Sequence, residues 1–202
     1  MLTESNDLGN QIELSKSENE CMLIESNELK DELADSELES EAWDYKPPIL
    51  IGPKGKHICV MGGISGDRYL LSSNHDGKRV DLWMRDDNSG RQRWNFKHLG
   101  GGYYNIIIAG GVSSDRKYLS TSKDGDRVDL WPEDDGSGRQ KWKLVKFGTR
   151  DIYHIEIYGG VKGKRYLLSV RGDGQEADLY HYDDFSGRQQ WTFSEVPLTT
   201  NY

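Results

Sequence analysis

Short stretches of alternating apolar and polar residues recur along the chain and predict β-strands. Three apolar triplets, each followed closely by a Gly-Gly pair, occupy residues 58–60, 106–108 and 155–157. Their outer positions stay apolar while the middle one changes from Cys to Ile to Glu, which is the period-two pattern of a half-buried strand. We predict that each triplet is the first strand of a repeated unit, with its outer residues facing the core.

Two further strands and a tight turn follow each triplet. The second strands are predicted at 69–72, 118–121 and 166–169, and the third at 80–83, 128–131 and 177–180. An Asp-Gly pair lies between them in every copy, and Asp-Gly between alternating runs is a strong hairpin signal. In the third strand, alternation predicts that Val80 and Leu82 point inward while Asp81 and Trp83 point outward, with the same arrangement in the other two copies.

The most repeated text of the chain, Ser-Gly-Arg-Gln-x-Trp, occupies residues 89–94, 137–142 and 186–191. Its tryptophans lie 48 and 49 residues apart, a period typical of repeat architectures. We expect the Trp and the apolar residue after it to belong to the core, and the Gln to bond backbone groups of the turn. Each unit therefore has four strands, which predicts an all-β domain of three pseudo-symmetric repeats.

The domain boundaries follow from a change in composition. We predict a domain over residues 46–198, with repeats at about 49–97, 98–145 and 146–196, in which residues 49–51 complete the last unit. Residues 1–45 hold 14 acidic and two basic residues and no proline. Such a composition buries too little apolar surface to order itself, so we expect an acidic, disordered or partly helical tail.

Charge and cysteine content narrow the class of protein. The net charge is −8, but residues 46–202 hold 24 basic and 20 acidic residues, without the clustered basic footprint of a nucleic-acid binder. Two cysteines imply no disulfide framework. The N-terminus lacks the features of a secretory signal and no run is long enough for a membrane span. We expect a cytoplasmic protein, or one secreted without a signal peptide.

Three copies of Gln-x-Trp, each about ten residues after a Val-x-Leu-Trp-like strand, resemble the ricin-B-type β-trefoil lectins. The resemblance covers about residues 49–196 and implies a β-trefoil. It further implies that the aromatic residue ending each third strand stacks on the apolar face of a sugar. These aromatic residues are Trp83, Trp131 and Tyr180. The alternative is that the rings merely cover the side of the barrel.

The polar neighbours of these rings depart from the family pattern. An arginine stands where the family usually keeps an asparagine before the Gln, and the second strand lacks the usual Asp. An aspartate two residues before each ring still offers an acceptor. These positions are Arg91, Arg139, Arg188, Asp81, Asp129 and Asp178. Either Asp and Arg bracket a ligand, or they form a plain ion pair.

Two other kinds of site receive less support from the sequence. The Asp-Asp-x-Ser-Gly stretches at 86–90, 134–138 and 183–187 supply oxygen ligands of the kind that calcium prefers, but without the spacing of an EF-hand loop. We interpret them as turns, which favour the same residues. The five histidines are taken to fall at unrelated positions of the repeat, and no catalytic motif is apparent, so no enzyme, metal or cofactor is expected.

Together these patterns predict a non-catalytic, lectin-like carbohydrate-binding module with up to three shallow glycan sites. The alternative is a protein-interaction trefoil, resembling protease inhibitors or proteins that bind cytoskeletal filaments, with no sugar binding. In either case the acidic tail is a candidate contact for a protein partner.

Overall fold

The computed structural model describes residues 55–195, which form twelve β-strands and no helix. The first repeat holds β1 (Lys56–Val60), β2 (Leu70–Ser73), β3 (Val80–Trp83) and β4 (Trp94–Gly100). The second holds β5 (Tyr103–Ile108), β6 (Tyr118–Thr121), β7 (Val128–Trp131) and β8 (Trp142–Lys146). The third holds β9 (Tyr153–Ile157), β10 (Leu167–Val170), β11 (Ala177–Tyr180) and β12 (Trp191–Glu195).

Six of the strands form a barrel. β1 pairs with β12, β4 with β5 and β8 with β9, all antiparallel, and shorter pairings of β1 with β4, β5 with β8 and β9 with β12 close the ring. The first and last strands of the barrel are therefore neighbours, because β12 pairs with β1 along the whole length of β1. Residues 49–51, which were predicted to complete this closure, lie outside the described residues, as do residues 1–45.

The remaining six strands form three hairpins that cap the barrel. β2 pairs with β3, β6 with β7 and β10 with β11, each around the predicted Asp-Gly turn. Around the threefold axis, the backbone N–H of Leu130 donates to Gly77 O, Leu179 to Gly125 O and Leu82 to Gly174 O, at 2.8–2.9 Å. The all-β, β-trefoil architecture of three four-strand repeats is therefore confirmed.

The core holds the residues that the alternation placed there. Trp94, Trp142 and Trp191 are fully buried, and each indole N–H donates to a second-strand carbonyl at 2.9–3.0 Å. Burial of an indole ring with its one donor satisfied makes each of these residues a large contributor to stability. One detail differs from the prediction: Cys59, whose position was expected to face away from the core, is buried.

Each repeat is attached to the next through the Gly-Gly pair. A Cβ added at Gly111 would lie 2.6 Å from Cγ of Arg91, and at Gly160 2.7 Å from Cγ of Arg139. These glycines also have positive φ values of 75° and 74°. Glycine is therefore required twice over, by backbone conformation and by the close approach of the preceding repeat.

Candidate functional site

The three predicted aromatic residues occupy equivalent places at the end of a cap hairpin. Trp83 lies opposite Leu70, Trp131 opposite Tyr118 and Tyr180 opposite Leu167. Trp83 is 38% exposed, whereas Trp131 and Tyr180 are half-buried. Each ring therefore presents part of its surface to solvent, as the alternation predicted.

The carboxylates two residues earlier are more deeply placed than expected. Asp81 and Asp129 are buried, so the prediction that they point into solvent is wrong for these two, while Asp178 is half-buried. Each aspartate lies opposite a serine on the paired strand and has arginines nearby. Burial raises the pKa of Asp81 and of Asp178 to about 6, against the lowering effect of those arginines.

A buried Gln–Ser hydrogen bond lies next to the third-strand aspartate in each repeat. The side-chain amide of Gln92 donates to Ser72 Oγ at 3.0 Å, and its Oε1 accepts from the backbone N–H of Asp87 at 3.3 Å. Ser72 in turn lies opposite Asp81 in the hairpin. The same two bonds recur in the other repeats, through Gln140 and Gln189. The prediction that this Gln bonds the turn backbone is confirmed.

The arginine before each Gln is paired with a turn aspartate rather than with the third-strand aspartate. Arg91 Nη2 lies 2.5 Å from Asp87 Oδ2, and its Nε donates to Ser89 Oγ at 3.1 Å. Arg139 and Arg188 repeat the pairing with Asp135 and Asp184. Because the guanidinium groups bond to the turn while the Cγ atoms pack against the Gly-Gly pair of the neighbouring repeat, these arginines join the repeats together. Their role in binding a ligand stays a prediction.

A second arginine column, which the sequence interpretation missed, lies beside the rings. Arg68 Cζ is 5.3 Å from the centroid of the Trp83 ring and its Nη1 donates to Leu82 O. Arg116 Cζ is 5.1 Å from the Trp131 ring centroid, and its Nη1 donates to Leu130 O at 2.7 Å. The third member of the column is Arg165. The 48- and 49-residue period of these arginines was the available signal.

In the third repeat, the ring at the end of the third strand belongs to a cluster of aromatic side chains. The centroids of Tyr180 and Tyr182 are 5.3 Å apart, and His181 lies 4.8 Å from Tyr180 and 4.5 Å from Tyr182. Tyr182 is 49% exposed. A hydrogen bond with Tyr180 raises the pKa of the Tyr182 phenol.

The prediction that the five histidines fall at unrelated repeat positions is wrong for two of them. His57 and His154 occupy equivalent positions, where their Nε2 atoms lie 2.8 and 2.9 Å from Oδ2 of Asp86 and Asp183. Asn105 takes the same place in the second repeat and donates to Asp134 Oδ2 at 2.9 Å. The replacement of His by Asn in the middle copy concealed the column.

These aspartates also build the turns, which confirms the turn interpretation of the Asp-rich stretches. Asp86 Oδ1 accepts from the backbone N–H of Asn88 at 2.8 Å and Asp87 Oδ1 from that of Ser89 at 2.9 Å. Burial acts to raise the pKa of Asp86, but hydrogen bonds from His57 and Arg93 outweigh it and lower that pKa. Among the described residues, no group of three or more His, Cys, Asp or Glu is placed to hold a metal ion.

Comparisons with known structures support the fold. The chain is similar to a designed 3-fold symmetric protein, ThreeFoil, at 25% identity over 70% of this chain and 99% of that one, with a TM-score of 0.54. It is similar to SeviL bound to asialo-GM1 saccharide at 16% identity, over 71% and 98% of the two chains, with a TM-score of 0.50.

A third similar structure is 1,3Gal43A, an exo-β-1,3-galactanase from Clostridium thermocellum, at 24% identity and a TM-score of 0.51. The match covers 70% of this chain but 30% of that enzyme. No protein-family model matches the chain, and no curated protein matches it either. In residues 55–195 no helix is long and apolar enough to span a membrane.

Proposed function

We propose that this protein is a non-catalytic carbohydrate-binding module of the ricin-B-like type. The observation that carries the proposal is the threefold pairing of a partly exposed aromatic ring with a carboxylate two residues before it on the same strand. An aromatic face binds the CH groups of a sugar, and a charged acceptor bonds its hydroxyl groups. The two together are the chemistry that saccharide recognition requires.

The similar structures support the same function without deciding it. SeviL was solved with a saccharide bound, so a chain of this architecture accommodates a glycan. The galactanase acts on a carbohydrate, and the match covers 30% of that enzyme. These likenesses favour sugar binding.

A printed glycan array that includes the asialo-GM1 saccharide tests the proposal. We expect the wild-type chain to bind at least one oligosaccharide and the triple variant W83A/W131A/Y180A to lose that binding, because the stacking surface is removed from every repeat. We expect a loss of about tenfold per ring that stacks on the sugar, by analogy with bases that stack on aromatic side chains.

Tyr158→Ala is the matched control, since Tyr158 is a 56% exposed aromatic residue outside the predicted site. The control is expected to bind as the wild type does, and circular dichroism verifies that all variants fold. A folded wild type that binds no glycan, or a triple variant that binds unchanged, contradicts the proposal. The first result would favour the protein-interaction alternative.

A further inference from the structure

The three aromatic residues have different surroundings, although the repeat makes their positions equivalent. Trp83 has the guanidinium of Arg68 over its ring, and Trp131 has those of Arg116 and, at 5.7 Å, Arg139. Within the part of the chain that the structure describes, no cationic side chain lies over the ring of Tyr180. A sugar approaching either tryptophan therefore meets an arginine that it does not meet at the tyrosine.

The arginine of the third repeat is held elsewhere by an ion pair. Arg165 Nη1 bonds to Oδ1 of Asp126, in the cap hairpin of the preceding repeat. Each arginine of this column packs against the cap hairpin of a neighbouring repeat. A Cβ added at the hairpin glycine would lie 3.1–3.5 Å from the arginine Cβ, in the pairs Gly77 with Arg116, Gly125 with Arg165 and Gly174 with Arg68.

Whether the arginine lies over the aromatic ring depends on one side chain in the hairpin against which it packs. The residue after the hairpin glycine is Lys78, Asp126 or Gln175. Only the second is acidic, and it faces Arg165. Exposed ion pairs and exposed cation–π contacts have similar small energies, and tryptophan is a better partner than tyrosine. Both the added acid and the exchange of Trp for Tyr therefore favour a ring without an arginine over it in the third repeat.

The carboxylate of the third repeat is also the least satisfied of its column. Asp81 has Arg79 at 3.5 Å and Asp129 has Arg116 at 3.6 Å. Glu176 stands at the position of Arg79 in the third repeat, and it pairs with Arg171. Among the described residues, Asp178 Oδ1 is the buried side-chain oxygen left without a hydrogen-bond partner. A hydroxyl group that reached this oxygen would supply the missing donor.

We propose that the glycan site of this protein lies in the third repeat, where Tyr180 stacks on the sugar, Asp178 accepts from a hydroxyl and Tyr182 extends the aromatic surface. In the first two repeats an arginine lies over the equivalent ring and would have to move before a sugar could stack there. The ligand is a neutral saccharide, because an anionic sugar would place a second negative charge beside Asp178 with no arginine over the ring to offset it. This inference rests on the proposed function and adds to it one site and one class of ligand.

Isothermal titration of the full chain, with the neutral oligosaccharide that gives the strongest wild-type array signal, tests the assignment. We expect one site per chain. Tyr180→Ala is expected to weaken binding at least tenfold, while Tyr180→Phe, which keeps the ring, is expected to retain most of it. Trp83→Ala and Trp131→Ala are each expected to change affinity less than twofold.

Two charge variants test the role of the hairpin residue. Asp126→Asn frees Arg165 to lie over Tyr180 and should weaken binding about three- to tenfold. Gln175→Asp offers Arg68 the acid that it lacks and should add a second, Trp83-dependent site. Asp151→Asn, which also removes an exposed acid from an ion pair, is the control and should bind as the wild type does.

The outcomes distinguish a failure of this inference from a failure of the proposed function. Three equal sites, or a Tyr180→Ala variant of wild-type affinity beside a defective Trp83→Ala or Trp131→Ala, overturns the assignment while leaving glycan binding intact. Stronger binding of a sialylated than of the matched neutral glycan overturns the ligand class. A folded wild type that binds no array glycan overturns both.

Discussion

At the scale of single residues, the aspartate of each third strand is the most informative group. Asp81 and Asp178 are held away from water, and burial raises the pKa of each to about 6. A carboxyl group with a raised folded-state pKa contributes stability that is fully present below the unfolded pKa of about 4, and this contribution is lost as pH rises through about 6. At neutral pH the charged aspartate therefore lowers the free energy of unfolding.

Asp178→Asn is predicted to raise the free energy of unfolding by about 1 kcal/mol at pH 7.5, because the amide removes a buried charge. This change is smaller than the rise in the pKa of Asp178 alone would give, because the side chain is partly exposed and solvent weakens the electrostatic effect. At about pH 4 the gain should vanish, since the wild-type carboxyl is then protonated. Urea unfolding at both pH values measures the difference.

Asp151→Asn, at an exposed ion pair, is the control and should change the free energy of unfolding by no more than a few tenths of a kcal/mol. An Asp178→Asn gain that is equal at the two pH values would show that burial of the charge is not its cause.

At the scale of the elements, the third residue of the Asp-rich turn before each Gln adopts the left-handed region. That residue is Asn88, Gly136 or Phe185, with φ of 61°, 74° and 59°. Asparagine and glycine favour this conformation, whereas a bulky residue there is strained. Phe185 is also 77% exposed, and its nearest aromatic neighbour, Phe147, has its ring centroid 6.4 Å away.

Phe185→Asn is predicted to raise the free energy of unfolding by about 0.5–1 kcal/mol, since it relieves the strain and removes little buried surface. Gly136→Ala serves as the opposite test, because a Cβ there meets nothing within 4 Å and introduces strain alone. It should lower the same free energy by about 1 kcal/mol. Denaturant unfolding of both variants measures the pair, and a loss of stability in Phe185→Asn would show that the ring contributes through packing.

At the scale of the whole molecule, the described residues close on themselves. β1 and β12 pair over five residues, so residues 56–195 complete the barrel without the acidic tail. The domain boundary at 46 stays a prediction, and it has a direct consequence for stability. The tail holds 14 acidic and two basic residues, a net charge of −12, which favours solvation over packing on the barrel.

A chain that begins at Tyr45 is predicted to unfold at the same temperature as the full chain, within about 2 °C. Differential scanning calorimetry of the two chains measures this. For a domain of this size a loss of 1 kcal/mol corresponds to about 2–4 °C, so a fall of 5 °C or more would show that the tail packs on the barrel. A salt titration of the full chain then tests whether that contact is electrostatic.

The sequence by itself determined the fold and the three equivalent aromatic positions. Strand alternation, the Asp-Gly turns and the threefold Gln-x-Trp spacing are local or periodic, so each is visible in one dimension. Trp94 and Gln92 behave as that pattern required, because a large ring and a buried amide have few alternatives in a closed core.

Only the tertiary structure decided how the three positions differ. The partner of Arg165 is Asp126, which is 39 residues away in another repeat, and the choice between that acid and the ring of Tyr180 depends on distances between hairpins that meet at the threefold axis. The burial of Asp81 and the contacts of His57 and His154 with Asp86 and Asp183 likewise arise from neighbours brought together by folding. Competing contacts of similar energy are resolved by geometry, and this geometry exists only after the repeats have packed together.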